Sequence, residues 1–474
     1  MFGSRQAILN QLLEQRRTGY LTRRTFLKRT SEIGLAGSLA SMLLEACEQE
    51  KQPTSNKVTK IIWQTEDDHY GTFNFLVRMF NRFHPDIQVQ ATKAQSHCNP
   101  HDDLVSKLQA HQGSPDVLSL DVPWMDEFVR NGWIIPLTNS WLQANAKNYL
   151  QKPLQAVTFP NPETGQRQIW AAPLHTDIGL LYYRKDFSDL ISRPPQTWTD
   201  LEAMARVVQK EGRCKWGYVW QGKKYDGLVC DFVEVLSSYN ASIFDPHAPQ
   251  VVTINSPEAL AALSEMVSWV GTISPPTTPT FGEYETVDQW LGRNAVFMRC
   301  WPNISAWSKD ASQSLVRHTF DIAPLPSGAK SCLGGWQLAI NRYSQNQEAA
   351  WQFIQWMLQR EAQQYLAVKE GFTVTLASIY KDKRVQTWNP LFAFLDQPST
   401  FSPKKSLLET LLDNAQLRPV LPCFSQVASA IESHVNAALI GSEKPAIALQ
   451  RLQTELQDVM QRCQTVSKLV CASS

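Results

Sequence analysis

Carboxylates that follow apolar segments, and indoles beside turn residues, are the groups of this chain whose types and spacing could do chemistry. Asp121 follows the apolar run 117–120, and the acidic run 66–68 follows the apolar residues 61–63. The 474-residue chain has 16 tryptophans, several of them next to turn residues, among them Trp124, Trp301 and Trp336. Sugars bind to such groups, because their C–H faces pack on aromatic rings and their hydroxyls hydrogen bond to planar charged groups. The pattern indicates a polyol or sugar ligand, with core packing as the alternative for each tryptophan, a helix N-cap for Asp121 and a plain acidic turn for residues 66–68.

Other common chemistries have no motif in this sequence. The glycine-rich phosphate loops GxGxxG and GxxxxGK[ST] are absent, as are the GxSxG and HExxH motifs of hydrolases and metalloproteases. His97 and His101 would share a helical face, but Pro100 lies between them and breaks that geometry. We interpret residues 97–103 as a solvated loop followed by an acidic helix start, and we predict neither a metal nor a cofactor.

The N-terminal segment resembles an export signal. Arg23 and Arg24 precede a soft apolar run over residues 33–44, which is too short to span a bilayer and ends in Leu44-Glu45-Ala46-Cys47. The arginine pair resembles a twin-arginine signal and the last four residues resemble a lipobox, although Glu45 departs from the small or apolar residue usual there. We therefore predict an export signal over residues 1–46, acylation of Cys47 and a flexible linker over residues 47–57, with an amphipathic N-terminal helix as the alternative.

Size, charge and cysteine content narrow the class of protein. The chain beyond residue 46 exceeds the usual length of one domain, so two lobes are expected. The formal net charge is +1 and the basic residues form no stripe, so nucleic-acid binding is not expected. Besides Cys47, the cysteines are scattered without a CxxC motif, and no pairing is assigned to them: Cys98, Cys214, Cys230, Cys300, Cys332, Cys423, Cys463 and Cys471.

Apolar periodicity predicts short strands alternating with helices. Residues 61–63 and 87–90 are typical of strands, and a helix whose apolar face includes Phe73, Val77 and Phe80 should end before Pro85. Ser256-Pro257-Glu258 has the composition of a capped helix start. Apolar residues also recur by threes and fours in a C-terminal surface helix, at Leu449, Leu452, Leu456, Val459 and Cys463. This alternation predicts an α/β fold with mostly parallel sheets.

Six motifs in the same order resemble those of the trehalose/maltose-binding proteins of ABC importers, within the extracellular solute-binding proteins for sugars. The resemblance extends from about Lys60 to near Arg462. The motifs are DIGLLYYRKD at 177–186, PQTW at 195–198, YVWQGKKYDGLVCDFVE at 218–234, CWP at 300–302, LGGW at 333–336 and RPVLP at 418–422.

This resemblance implies a two-lobed α/β fold of the periplasmic-binding-protein kind, of type II as in maltose-binding protein, with a three-segment hinge. One lobe would comprise residues 58–175 and 337–380, and the other residues 176–336 and 381–474. The hinge crossings would lie near residues 173–177, near residues 334–338 and shortly after Tyr380. Such lobes close over a ligand by rotation.

The resemblance also implies roles for individual residues. Asp121 and Asp177 would bind sugar hydroxyls, Trp301 would stack on a pyranose face and Arg418 would donate to the sugar, a surface salt bridge being the alternative for Arg418. Two positions depart from the family pattern: His175 stands where a tyrosine is expected, and the acidic residue after the first strand does not align, so Asp67, Glu66 or Asp68 would replace it. Glu234 would either bind ligand or buttress its loop. The predicted ligand-binding set is Asp67, Asp121, His175, Asp177, Glu234, Trp301, Gly335, Trp336 and Arg418.

The function implied is that of a substrate-binding lipoprotein that delivers a di- or small oligosaccharide, or a glucoside, to the permease subunits of an ABC importer. Trehalose, maltose, sucrose and glucosylglycerol are the ligand types considered. The protein would be a monomer without enzymatic activity or cofactor, held at the membrane by its lipid. Two alternatives stay open: a glycoside hydrolase that uses a carboxylate pair such as Asp121 and Asp177, and a sugar-sensing protein that serves a membrane receptor.

Overall fold

The computed structural model describes residues 12, 25–26, 28, 58–94, 99–138, 140–399, 402 and 404–472. The predicted acylation site Cys47, the linker 47–57 and nearly all of the predicted export signal lie outside these residues, as do His97 and Cys98.

The chain divides into two compact units. Unit 1 contains the described residues of Met1–Leu120, Gly132–His175 and Trp336–Pro390, and unit 2 those of Asp121–Asn131, Thr176–Gly335 and Leu391–Ser474. The division implied by the family resemblance places residues 121–131 in the first lobe and the last boundary at residue 380. Here that short segment belongs to unit 2, and the last boundary follows Pro390.

The regular elements alternate along the chain. The strands are β1 (Thr59–Gln64), β2 (Ile87–Thr92), β3 (Val117–Asp121), β4 (Thr158–Pro160), β5 (Arg167–Ile169), β6 (Ala172–Pro173), β7 (His175–Ile178), β8 (Leu180–Arg184), β9 (Trp216–Val219), β10 (Phe244–Asp245), β11 (Ala248–Val252), β12 (Ala295–Cys300), β13 (Phe320–Ala323), β14 (Leu333–Gly334), β15 (Trp336–Ile340) and β16 (Thr373–Val374). The helices are α1 (Thr72–Phe83), α2 (Pro100–Gln109), α3 (Met125–Arg130), α4 (Ser140–Asn145), α5 (Gln151–Ala156), α6 (Trp198–Lys210), α7 (Asp226–Ser238), α8 (Pro257–Trp269), α9 (Glu283–Leu291), α10 (Ile304–Lys309), α11 (Gln347–Met357), α12 (Arg360–Lys369), α13 (Lys383–Trp388), α14 (Leu391–Asp396), α15 (Leu407–Asn414), α16 (Phe424–Leu439) and α17 (Pro445–Ala472).

Local signals set several helix boundaries as the sequence predicts. Helix α1 ends at Phe83, two residues before Pro85, and buries Phe73, Val77 and Phe80. The Ser256 hydroxyl accepts a hydrogen bond from the Ala259 amide at 3.1 Å, so it caps α8, whose first residue is a proline. Helix α2 likewise starts at Pro100, with acidic residues in its first turn.

Unit 1 is built on a five-stranded sheet in the order β2-β1-β3-β15-β6. Strand β1 pairs in parallel with β2 and β3, and β15 runs antiparallel to β6. Aromatic rings fill the adjoining core: Trp63 lies 4.9 Å from Phe73 and 5.3 Å from Phe353 between ring centroids. Strand β3 of this sheet ends at Asp121, where the chain passes into unit 2.

Unit 2 contains a four-stranded sheet in the order β13-β8-β12-β9. Strand β8 runs antiparallel to both β12 and β13, and only the β12–β9 pairing is parallel. The prediction of mostly parallel sheets is therefore wrong for this sheet. Strand–helix alternation reports which segments are extended, but strand direction depends on how distant segments pair.

The C-terminal helices of unit 2 are joined covalently. Cys423, just before α16, forms a disulfide with Cys463 of α17 across a Cα–Cα distance of 6.0 Å. The predicted apolar face of α17 is buried in this helix pair, with Leu449, Leu452 and Leu456 at most 1% exposed. Among the residues described, no helix combines the length and apolar character that a membrane span requires.

Candidate functional site

Asp121 and Arg418 form a buried two-point ion pair in unit 2. Strand β3 ends at Asp121, whose Oδ1 accepts a hydrogen bond from the Val122 amide at 2.7 Å and so caps the short 3₁₀ turn that follows. The Arg418 guanidinium donates to both Asp121 oxygens, each at 2.7 Å. Asp121 is 8% exposed and Arg418 is 4% exposed. Asp121 therefore caps a turn and also aligns the arginine, and Arg418 is not part of a surface salt bridge.

Asp226 is a second carboxylate on the same guanidinium, and the sequence analysis did not single it out. It is the first residue of α7, and its Oδ2 accepts a hydrogen bond from Arg418 Nη1. Burial raises the pKa of Asp226 to about 7, an effect that Arg418 opposes and that the Asp121 charge reinforces. Asp226 lies inside the motif at 218–234, but an aspartate in the first turn of a helix is common enough to pass as a helix start.

Trp301 follows β12 and is held from several directions within unit 2. Its carbonyl accepts a hydrogen bond from the Tyr182 hydroxyl at 2.7 Å, and its indole Nε1 lies 3.4 Å from Glu283 Oε1. The guanidinium of Arg299 lies over the indole, 4.1 Å from the ring centroid. One face of the ring therefore packs against a cation, and its orientation is fixed.

Glu234 belongs to the ion network that holds Arg299. Its two oxygens accept hydrogen bonds from Arg299 at 2.6 and 2.7 Å, and its Oε1 also accepts one from the Cys332 amide at 2.8 Å. Asp231 lies 2.8 Å from Nε of the same arginine. A Cβ atom at Gly179 would lie 1.9 Å from Glu234 Oε1, so only glycine fits there. Of the two roles considered for Glu234, this geometry favours support of its loop over direct contact with a ligand.

Asp177 and Trp301 are brought together by a glycine. Asp177 of β7 pairs with Gly334 of β14, and a Cβ atom at Gly334 would lie 3.3 Å from Asp177 Cβ and 3.4 Å from the Trp301 ring. The next residue, Gly335, has a φ of 112°, a backbone conformation that residues other than glycine rarely adopt. Two glycines thus place a half-buried carboxylate beside the tryptophan ring.

The acidic residues after β1 differ in burial. Asp67 is exposed and pairs with Lys93 at 2.6 Å. Glu66 is buried instead, and both its oxygens lie within 3.1 Å of His175 Nε2, whose ring stacks on Phe372 at 4.1 Å. All these residues belong to unit 1, and Glu66 is the member of the run that contacts His175. Trp336, also in unit 1, is half-buried at the start of β15.

Glu370 anchors the loop that follows this acidic run and was not found by sequence reasoning. Its carboxylate accepts hydrogen bonds from the His69 amide at 3.2 Å, the Tyr70 amide at 3.1 Å and the Thr72 hydroxyl. Burial raises the pKa of Glu370 to about 7, whereas the bond from Thr72 lowers it. Glu370 lies 300 residues from Tyr70 in the sequence, so no local pattern predicts that it contacts this loop.

The part of the chain that the structure describes contains no group of three or more His, Cys, Asp or Glu residues that could hold a metal ion. In the segment considered for a metal, His101 lies 3.0 Å from Asp102 through its Nδ1, and His97 lies outside the described residues.

Sequence comparison relates this chain to binding proteins. The family model described as "Bacterial extracellular solute-binding protein" matches residues 63–364. A "Probable ABC transporter-binding protein" of Deinococcus radiodurans is 33% identical over 371 residues, which cover 75% of this chain and 82% of the relative.

Structural comparison gives the same result. The maltose-bound MalE3 of T. maritima superimposes with a TM-score of 0.75 at 30% identity, covering 85% of this chain and 100% of that one. A solute-binding protein of Agrobacterium radiobacter K84 in complex with ribitol has a TM-score of 0.73 at 20% identity, with 85% and 100% covered, a likeness that concerns the fold alone.

Proposed function

Because the chain belongs to the bacterial extracellular solute-binding proteins, we propose that it captures a di- or small oligosaccharide, or a glucoside, for an ABC importer. It is a solute-binding protein of the ABC transporter class with the two-lobed α/β fold of MalE-like proteins. The ligand types in view are trehalose, maltose, sucrose and glucosylglycerol. MalE3, with maltose bound at 30% identity, supports a glucoside as the ligand class.

The observation that carries this proposal is the buried Asp121–Arg418 pair. A carboxylate and a guanidinium that share two hydrogen bonds present fixed acceptors and donors, and sugar hydroxyls need both. Arg418 Nε has no hydrogen-bond partner although it is buried. A buried donor without a partner is costly, so a ligand hydroxyl that accepts from it would gain affinity.

Trp301 supplies the apolar partner of a sugar ring. Arg299 covers one face of the indole, so a pyranose would pack on the opposite face. Asp177 lies next to that ring across Gly334 and would accept hydrogen bonds from hydroxyls of the same sugar. Gly335 would contribute its backbone amide.

Within unit 1, the candidate ligand residues are His175, Glu66 and Trp336. The imidazole of His175 is fixed between Glu66 and Phe372, so it would present a rigid polar edge where the family resemblance implies a tyrosine. His175 in place of a tyrosine, and Glu66 rather than Asp67 as the acidic candidate, are the reasons to test ligands other than trehalose and maltose. Glu234 would act by holding Arg299 under Trp301.

Export and lipid anchoring through Cys47 complete the proposal. The family is extracellular, and a disulfide such as Cys423–Cys463 is stable in an oxidising compartment, which supports a working place outside the cytoplasm. The protein would act as a monomer that presents its ligand-bound form to the permease subunits. Ligand shifts the population toward that form only through its higher affinity for it.

Catalysis is not part of this proposal. Both oxygens of Asp121 are engaged by Arg418, an arrangement that suits binding better than proton transfer to a glycosidic oxygen. The family and the solved relatives are binding proteins. A sugar-sensing role would use the same site, and deletion of the neighbouring permease genes followed by uptake of labelled sugar separates it from transport.

Calorimetric titration of the purified protein with trehalose, maltose, sucrose, glucosylglycerol and glucose tests the proposal. We expect saturable binding of one glucoside, with the sugar recovered intact after long incubation. Trp301→Ala and Asp177→Ala should each weaken binding at least about tenfold, as expected for loss of a stacking ring or a hydroxyl acceptor worth roughly 1.4 kcal/mol or more.

Matched controls separate the site from general damage. Trp388→Ala removes a tryptophan that is 51% exposed, and Asp189→Asn removes a carboxylate paired at the surface with Arg213. Both should leave affinity unchanged. Failure of the wild type to bind any of these sugars would reject the sugar assignment, and release of monosaccharide would favour the hydrolase alternative.

A further inference from the structure

Asp226 carries an unused polar atom in the charged cluster around Arg418. Its Oδ2 is bonded to Arg418 Nη1, but its Oδ1 is shielded from solvent and has no hydrogen-bond partner. The side chain as a whole is 32% exposed through atoms other than Oδ1, so solvent reaches the residue next to that atom. In the same cluster Arg418, which is 4% exposed, has an Nε without a partner.

These two atoms are a hydrogen-bond acceptor and a hydrogen-bond donor. Buried polar atoms without partners are uncommon in folded proteins, and two in one cluster point to groups that a ligand satisfies. A hydroxyl can both donate and accept, so a polyhydroxy ligand satisfies atoms of both kinds.

The charges of the cluster restrict the ligand further. Arg418 is shared by Asp121 and Asp226, so two carboxylates face one guanidinium and the ionised cluster has one excess negative charge. Glu432, half-buried on α16, acts on Asp226 with the same sign, and the charge of Lys224 acts on Glu432 in the opposite sense. An arginine that is already neutralised offers no counter-ion to a phosphate or carboxylate.

We propose that Asp226 is a ligand-contacting residue that accepts a sugar hydroxyl through Oδ1 and makes the site select uncharged polyhydroxy ligands over anionic ones. Sugar phosphates and sugar acids are the class it rejects. This inference rests on the proposed function, since it assigns a specificity to that same site. The ligand-binding set implied by the family resemblance includes Asp121 and Arg418 of this cluster but not Asp226.

The preference of the site for neutral over anionic sugars should increase as pH rises. Burial raises the pKa of Asp226 to about 7, so its negative charge, and with it the excess charge of the cluster, develops between about pH 6 and pH 8. The groups that act on Asp226 are Arg418, Asp121 and Glu432, and Cys230 interacts with it from the next turn of α7. At pH 6 the protonated Asp226 leaves the cluster neutral, and anionic sugars should be rejected less.

Titration calorimetry on the full-length protein at pH 6 and pH 8 tests the inference. The probes are trehalose against trehalose 6-phosphate, and maltose against maltose 1-phosphate. At pH 8 the wild type should bind the neutral sugar at least about 100-fold more tightly than its phosphate, because a like charge about 5 Å away in a site of intermediate dielectric repels strongly. Asp226→Asn should reduce this ratio to below about tenfold and weaken binding of the neutral sugar about tenfold. Asp189→Asn, which removes a surface carboxylate of the same unit, should change neither value.

Each outcome decides the matter. Unchanged discrimination in Asp226→Asn, or equal binding of the neutral sugar and its phosphate by the wild type at pH 8, would overturn the inference while the proposed function stands. If Asp226→Asn does not fold, the wild type is titrated with the neutral sugar and with glucuronate, whose carboxylate is ionised at both pH values, and a ratio of affinities that does not rise from pH 6 to pH 8 also overturns the inference. Absence of binding to any sugar removes the proposed function, and this inference with it.

Discussion

Two buried guanidinium groups organise the polar interior of unit 2, and each is shared by two carboxylates. Arg418 joins Asp121 to Asp226, whereas Arg299 joins Glu234 to Asp231. Arg299 is 1% exposed, so its charge exists only because its partners compensate for lost hydration. These clusters specify the positions of Trp301 and Asp121 more strictly than apolar packing would.

Arg299→Met should therefore be strongly destabilising. It leaves Glu234 and Asp231 buried without a counter-ion, for which we expect a loss of about 3–5 kcal/mol in the free energy of unfolding. Denaturation in guanidinium chloride measures this loss in the free energy of unfolding. Arg213→Met, which breaks the exposed pair with Asp189, should cost far less, because solvent screens that pair. Equal effects of the two substitutions would contradict this account.

Glu370 should make the stability of unit 1 depend on pH. Its pKa is raised by burial to about 7 in the folded protein, so the folded state binds more protons than the unfolded state between about pH 4.5 and pH 7. Stability should therefore fall as pH rises through this window, by up to about 3 kcal/mol from this group.

Replacement of Glu370 by glutamine tests this sign. Glu370→Gln removes the titration and should flatten the fall in thermal midpoint between pH 5 and pH 7.5, although one loop hydrogen bond is lost. Asp382→Asn is the matched control, because the pKa of that carboxyl is lowered by its arginine partners and its titration ends below this window. A slope equal to the wild type's in Glu370→Gln would show that another group is responsible.

At the scale of elements, helices α16 and α17 depend on one covalent link. The Cys423–Cys463 bond closes a loop with a sequence separation of 40 residues. On the chain-entropy model such a loop contributes about 4 kcal/mol by restricting the unfolded chain. The apolar face of α17, formed by Leu449, Leu452 and Leu456, adds burial to this restraint.

Reduction should loosen this helix pair. We expect dithiothreitol, or the double substitution Cys423→Ser with Cys463→Ser, to lower the thermal midpoint by several degrees, while Cys214→Ala, which alters a buried free cysteine, should not abolish the effect of dithiothreitol. Mass spectrometry after thiol alkylation identifies the pair directly. Labelling of Cys423 and Cys463 without prior reduction would disprove the link.

At the scale of the whole molecule, each unit is assembled from segments that are distant in the chain. Unit 2 takes Asp121–Asn131 from before its main segment and Leu391–Ser474 from after the last segment of unit 1. Its core includes Val427 and Ile431 of α16, and Arg418 comes from the same C-terminal segment. Unit 2 therefore cannot complete its core until the end of the chain is present.

A chain that ends at residue 390 should consequently fail to form unit 2. We expect it to aggregate or to show reduced helical circular dichroism, rapid proteolysis of residues 176–335 and no sugar binding. A chain that ends at residue 463 keeps the disulfide and should stay folded. Protease resistance of residues 176–335 in the shorter chain would show that this segment folds by itself.

Much of the fold and the site could be predicted from local patterns. A proline marked the C-terminal end of α1, capping residues marked the start of α8, and apolar spacing identified the buried face of α17. Motif resemblance predicted the family and the fold, both confirmed by comparison. These features were accessible because capping and burial periodicity act over a few neighbouring residues.

Tertiary structure alone decided which of these residues meet. Arg418 reaches Asp121 across 297 positions, Glu370 reaches the Tyr70 amide across 300, and the direction of β8 relative to β12 follows from pairing rather than from its sequence. Glu370 has no local signal and Asp226 has only the pattern of a helix start, since a carboxylate becomes a site residue only when packing removes its water and supplies its partner. The sequence by itself determined the elements and the family, whereas long-range packing determined the charge clusters, because desolvation and ion pairing depend on which distant segments are brought together.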